Sequence, residues 1–116
     1  MRRALVVDDS ASNRELLRTI LEHAGWTVEE AGDGLMAVEM ATARPPELML
    51  LDIQMPGMDG YETLRALRGQ AALAATPIYA ITAYAMEGDV ERGLAAGFTG
   101  YLTKPLTRRQ LLAALS

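Results

Sequence analysis

The chain has 116 residues, half of them hydrophobic and 22% charged, with a net charge of −4 at pH 7. That length suits one domain around one core, residues 1–116, and the composition is that of a folded globular protein. The acidic balance excludes a general nucleic-acid surface, which needs a basic field, and the absence of cysteine excludes disulfides, thiolate metal sites and a cysteine nucleophile while suiting a reducing compartment.

The opening "MRRALVVDDS" has the two arginines and apolar run of a signal peptide, but Asp8 and Asp9 interrupt it too early for an h-region. No segment approaches the roughly 20 apolar residues of a membrane span. A cytoplasmic protein without membrane insertion is expected, with Arg2-Arg3 and Arg108-Arg109 as solvated pairs.

In chain order, "RALVVDD" is an apolar, partly β-branched run that predicts a strand. "SNRELLRTILEHAG" follows with Leu16, Leu17, Ile20, Leu21 and Ala24 at helical spacing, a capping box of Ser12 and Glu15 at its start and Gly25 at its end. "WTVEEA" predicts the second strand. "GLMAVEMATAR" predicts a helix with Leu35, Val38 and Ala41 facing inward, stopped by Pro45-Pro46. "ELMLLD" is continuously apolar up to Asp52, as expected of a strand covered on both faces. Asp59 and Glu62 cap a helix through "GYETLRALR", and residues 69 to 76 form a loop. "PIYAIT" predicts the fourth strand, "EGDVERGLAAG" a glycine-containing helix, "FTGYLTK" the fifth strand and "TRRQLLAALS" the last helix. The methionines, Met36, Met40 and Met49 among them, read as core filler, and His23 as a favourable charge at a helix end or a solvent-exposed side chain.

Strands alternating with helices imply parallel βαβ units, hence an α/β doubly wound five-stranded parallel sheet with helices on both faces. In such a sheet every strand's C-terminal end lies on one edge. The first strand ends in Asp8-Asp9, the third in Asp52, the fourth in Thr82 and the fifth in Lys104, so these residues converge. At an effective dielectric near 20, a pair of carboxylates 4 Å apart costs about 4 kcal/mol. A hard divalent cation relieves that repulsion, and carboxylates with a backbone carbonyl and waters are how Mg²⁺ is usually held. Lys104 then offers an ammonium and Thr82 a hydroxyl to the oxygens of a phosphoryl group taken up by Asp52 as an acyl phosphate. Lys104 is the only lysine, against ten arginines, and stands where a compact point charge is preferable to a planar fork.

Taken together, the acidic pair after the first strand, "LLDIQMPGMDG" around Asp52, "ITA" with Thr82 and "KP" at Lys104-Pro105 resemble a response-regulator receiver domain, the CheY-like phosphoacceptor of two-component signalling, over essentially the whole chain. The resemblance implies strand order 2-1-3-4-5 and Mg²⁺, with Mn²⁺ as a substitute, held by Asp8, Asp9, Asp52 and the Gln54 backbone carbonyl. It implies that Asp52 is phosphorylated, that Thr82 and Lys104 contact the phosphoryl group, and that the Lys104-Pro105 peptide is cis. Tyr101 falls at the aromatic switch position coupled to Thr82. Gln54 and Tyr84 fall at positions that modulate phosphate lifetime, and the fourth helix, fifth strand and fifth helix form the output face.

The expected donor is a phosphohistidine on a sensor histidine kinase or histidine phosphotransfer protein. The domain promotes its own phosphotransfer and dephosphorylation without being an enzyme in the ordinary sense. Met1 and the end at Ser116 favour a stand-alone regulator of the DivK sort over a receiver attached to a hybrid histidine kinase. An aspartyl-nucleophile phosphatase resembles Asp-x-Asp, where this chain has Gln54, and a flavodoxin-type binder needs a hydroxyl- and glycine-rich first loop, where this chain has two acids. A receiver-like scaffold that is never phosphorylated is the remaining alternative.

Overall fold

In a computed structural model of the chain, which describes residues 2–55, 57–83, 88–104 and 106–115, five short apolar runs pair side by side in parallel. They are β1 (Arg3–Val7), β2 (Thr27–Ala31), β3 (Leu48–Asp52), β4 (Ile78–Thr82) and β5 (Gly100–Thr103), in the order β2-β1-β3-β4-β5. Between and after them run α1 (Ala11–His23), α2 (Gly34–Ala43), α3 (Gly60–Arg68), α4 (Asp89–Ala96) and α5 (Arg108–Leu115). A 3-10 turn, Ala71–Leu73, shortens the loop before β4 and buries Leu73.

Alternate residues of the central strands enter opposite cores. Leu5, Val7, Met49, Leu51, Ile78 and Ala80 pack with Ala37, Ala41, Leu64, Leu67 and Phe98 on one face. Ala4, Val6, Leu48, Leu50 and Ile81 pack with Leu17, Ile20, Leu21 and Leu111 on the other. All five residues of β3 are buried, which is why its sequence shows no polar alternation. The register Val7↔Leu51, Asp52↔Ile81 and Thr82↔Thr103 brings the C-terminal ends into line, so the residues just beyond β1, β3, β4 and β5 share one edge.

The helix ends follow the local chemistry. Asp59 and Glu62 form the expected capping box of α3. Gly25 and Gly97 take φ of 96° and 119°, and the next residue in each case, Trp26 or Phe98, donates its N–H back to Leu21 or Gly93. His23 lies exposed in the last turn of α1.

Several sequence expectations need correction. Ser10, not Ser12, caps α1, its hydroxyl accepting from the Asn13 N–H at 3.3 Å, because the chain turns into helix directly after Asp8-Asp9. Leu16 and Leu35 are 49% and 59% exposed, not inward. A neighbour about 100° round the helix takes the inner position: Leu17 in α1, and Gly34 in α2. Only a very small residue fits at Gly34, since a Cβ there would clash with the Thr63 hydroxyl of α3. Met36 is likewise exposed, whereas Met49 is fully buried. Arg3 is not solvated: its guanidinium pairs with Glu29 at 2.7 Å and donates to the Arg44 and Pro45 carbonyls.

Candidate functional site

The edge formed by the strand ends carries the acidic cluster. Immediately after β1, the Asp8 N–H donates to the Ala31 carbonyl at 3.2 Å, which continues the sheet by one residue and fixes where the carboxylate projects. Asp8 is 1% exposed; its Oδ1 accepts from the Ser10 N–H at 2.9 Å and its Oδ2 from Lys104 Nζ at 3.0 Å. Asp52, the last residue of β3, is 3% exposed; its Oδ1 accepts from the Gln54 N–H at 3.0 Å and its Oδ2 from Lys104 Nζ at 3.4 Å. Asp9 stands exposed at the mouth. Carboxylate oxygens of Asp8, Asp9 and Asp52 lie within 4.8 Å of one another.

Buried Thr82 ends β4 beside this cluster, and its carbonyl accepts from the Lys104 N–H at 2.7 Å. That bond carries the sheet one residue past β5 and aims the lysine across 96 and 52 residues of chain at the two aspartates. The site is therefore assembled by parallel register rather than by any local segment.

Electrostatics follow from burial. Burial pushes the Asp52 carboxyl up to about 6; the Gln54 N–H pulls it down, the Asp8 charge adds to the rise, and Lys104 opposes it. Burial alone would lower the Lys104 ammonium, but its hydrogen bond to Asp8 and the charge of Asp52 outweigh that and leave it raised. Three carboxylates thus face one ammonium, with two of the acids out of water. An all-oxygen donor set with excess negative charge fits a hard divalent cation such as Mg²⁺.

Of the other sequence-predicted residues, Tyr101 lies on β5, partly buried, with its ring against α4. A Cβ on Gly93 would come within 2.7 Å of Tyr101 Cδ2, so the glycine is what lets the ring lie there. Gln54 is exposed and its N–H is engaged by Asp52. Tyr84 and Pro105, and with them the Lys104-Pro105 peptide, lie outside the described residues. A recess of about 340 Å³ opens beside Lys104, lined by Leu16, Leu17, Ile81 and Leu106 among others.

One contact was not foreseen. Arg14 of α1 donates from Nη1 to the Asp8 backbone carbonyl at 2.7 Å. Its signal in the sequence is a cation at the fourth position of a helix, where the helix dipole disfavours positive charge.

Comparison with known proteins agrees with this geometry. Residues 4–116 match the family described as "Response regulator receiver domain". The chain is 40% identical over 112 residues to the sensor protein GacS of Pseudomonas syringae pv. syringae, an alignment that covers 94% of this chain but 12% of that protein. It is 35% identical over 103 residues to the polar-differentiation response regulator DivK of Brucella ovis, covering 89% of this chain and 84% of that one. Among solved structures, the chemotaxis protein CheY4 of Vibrio cholerae superposes with a TM-score of 0.93 at 36% identity, over 99% and 96% of the two chains. The receiver domain of a sensor histidine kinase from Pseudomonas aeruginosa, whose structure has a magnesium ion coordinated in the active-site cleft, superposes with a TM-score of 0.90 at 35% identity, over 98% and 93%. None of the described helices is long and apolar enough to cross a membrane.

Proposed function

The chain belongs to the response-regulator receiver family of two-component signalling, and from that premise we propose that residues 1–116 form one phosphoacceptor domain in which Asp52 receives the phosphoryl group. The donor is a phosphohistidine on a sensor histidine kinase or histidine phosphotransfer protein, and the setting is cytoplasmic. The observation that carries the reading is the single ammonium of Lys104 spanning two buried carboxylates, Asp8 and Asp52, at the end of the sheet.

In the transfer an oxygen of Asp52 attacks phosphorus and the P–N bond of the phosphohistidine breaks, its electron pair passing to the ring nitrogen, so that an imidazole protonated on its other nitrogen leaves neutral. Burial raises the Asp52 carboxyl to about 6, which still leaves it mostly ionised at neutral pH and so nucleophilic. The Gln54 N–H holds Oδ1, which orients the carboxylate. Lys104 neutralises charge on the phosphoryl oxygens, and Thr82, the last residue of β4, offers its hydroxyl to one of them. Asp8, Asp9, Asp52 and the Gln54 carbonyl would hold Mg²⁺, with Mn²⁺ as a substitute. Bound there, the ion would supply charge neutralisation that lets a dianionic phosphoryl group approach an acidic pocket. Movement of Thr82 toward the phosphoryl group, coupled to Tyr101, biases a two-state equilibrium at the face made by α4, β5 and α5. Gln54 and Tyr84 set how long the acyl phosphate lasts before the domain hydrolyses it.

Reductive trapping tests the acceptor directly. Borohydride converts an aspartyl phosphate to homoserine, and peptide mapping after phosphorylation is expected to find it at position 52. Homoserine at position 8 or 9 instead would overturn the assignment.

A further inference from the structure

The Asp8 peptide is tied to the end of β2 on both sides. Its N–H bonds the Ala31 carbonyl directly. Its carbonyl is reached through Arg14, whose Nη1 donates to it at 2.7 Å while Nε donates to Glu30 Oε1 at 3.0 Å. Glu30 is anchored in turn by Arg18, which donates to its second oxygen at 2.8 Å. Arg18 first, against burial, and then Arg14 hold the Glu30 carboxyl below its usual range. With both ends of its peptide fixed, Asp8 has its carboxylate left to turn toward Lys104 and Asp52.

We propose that Arg14 is a positioning residue for the acidic site: its guanidinium fork, braced on Glu30, holds the Asp8 carbonyl so that the Asp8 carboxylate stays aimed at the cation. This rests on the reading of Asp8, Asp9 and Asp52 as a Mg²⁺ site. Two donors of one rigid plane make the two bonds, a geometry that a lysine ammonium on a flexible stem does not reproduce. Residues that orient metal ligands from behind typically matter about ten- to a hundredfold in affinity. Arg18 is an internal control, because it also binds Glu30 and carries the same charge but has no bond to Asp8 among its contacts.

The sign of the effect separates positioning from charge. Removing a cation near an acidic cluster would, by charge alone, tighten Mg²⁺ binding. Positioning requires the opposite.

The experiment is calorimetric titration of Mg²⁺ into the metal-free wild type, Arg14→Met, Arg14→Lys and Arg18→Met, with a thermal melt of each. About tenfold weaker binding by both Arg14 variants is expected, with Arg18→Met within about twofold of wild type. Binding by Arg14→Lys equal to wild type, or by Arg14→Met equal or tighter, would overturn the proposal, as would an equal loss in Arg18→Met. Should Arg14→Met fail to fold, Arg14→Lys and Arg18→Met alone decide it. Wild type that does not bind Mg²⁺ overturns both this proposal and the site reading beneath it, so the two failures are distinct.

Discussion

Lys104 is held closer to Asp8 than to Asp52, with Nζ 3.0 Å from the first carboxylate and 3.4 Å from the second. Lys104 thus serves as counter-ion to both buried acids, and to Asp8 first. A metal ion held by these carboxylates would compete with it for the same oxygens. Lys104→Met is therefore expected to bind Mg²⁺ more tightly, by roughly three- to tenfold, since it removes that competing charge. The same variant should melt lower without metal, by about 1–3 kcal/mol, because two buried carboxylates lose their cation. Mg²⁺ titration and metal-free melts check both halves; weaker Mg²⁺ binding would contradict the competition.

Charge alone does not define the role of Lys104. Lys104→Arg keeps the charge but replaces a compact ammonium with a planar fork between Asp8 and Asp52. Impaired phosphorylation-dependent partner binding is expected, measured as the affinity difference between phosphorylated and unphosphorylated protein. A difference equal to that of wild type would show that the point-charge geometry does not matter.

The raised Asp52 carboxyl makes stability depend on pH in a defined direction. A carboxyl whose folded pKa, about 6, exceeds its unfolded value near 3.8 favours the folded state at low pH, and that contribution is lost as pH rises through 6. Without metal, Asp52→Asn should be more stable than wild type by about 1–3 kcal/mol at pH 7.5, with the advantage vanishing toward pH 4. Mg²⁺ should raise the wild-type melting temperature and raise that of Asp52→Asn by less. Denaturant melts across pH test this, and a metal-free mutant less stable than wild type at pH 7.5 would contradict a destabilising buried charge at Asp52.

Gly93 offers a test of how Tyr101 packs on α4, one that reverses sign. Alanine there would meet the Tyr101 ring, so Gly93→Ala should destabilise the domain by about 1–3 kcal/mol despite alanine's better helix propensity. In a Tyr101→Ala background the clash is gone, and the same substitution should stabilise by about 0.5–1 kcal/mol. A double-mutant cycle on chemical denaturation reads both numbers; equal effects in the two backgrounds would mean that the ring does not rest on α4.

What was legible in the sequence was whatever parallel register depends on. Strand-terminal residues Asp8, Asp52, Thr82 and Lys104 could be placed on one edge because βαβ order fixes which strand ends meet, and the structure brings them together. Less legible was which of two neighbouring apolar residues on a helix points inward. Leu16 and Leu17 are equally hydrophobic, and only the packing of α1 on β1 selects Leu17. In α2 apolar size misleads outright, since close approach to α3 demands Gly34, Ala37 and Ala41 inside and leaves Leu35 and Met36 outside. Arg14 is marked in the sequence only as a cation early in a helix; its partner is a backbone carbonyl, and nothing in the sequence says which carbonyl that is.

The central claim is tested most directly by the intact mass of the protein after incubation with acetyl phosphate, with and without Mg²⁺, for wild type and Asp52→Asn. The expected result is a phosphoryl adduct on wild type that requires Mg²⁺ and is absent from the mutant. A folded wild-type protein that binds Mg²⁺ yet gains no adduct, or an adduct that persists in Asp52→Asn, would contradict the phosphoacceptor assignment and leave the chain as a receiver-like scaffold.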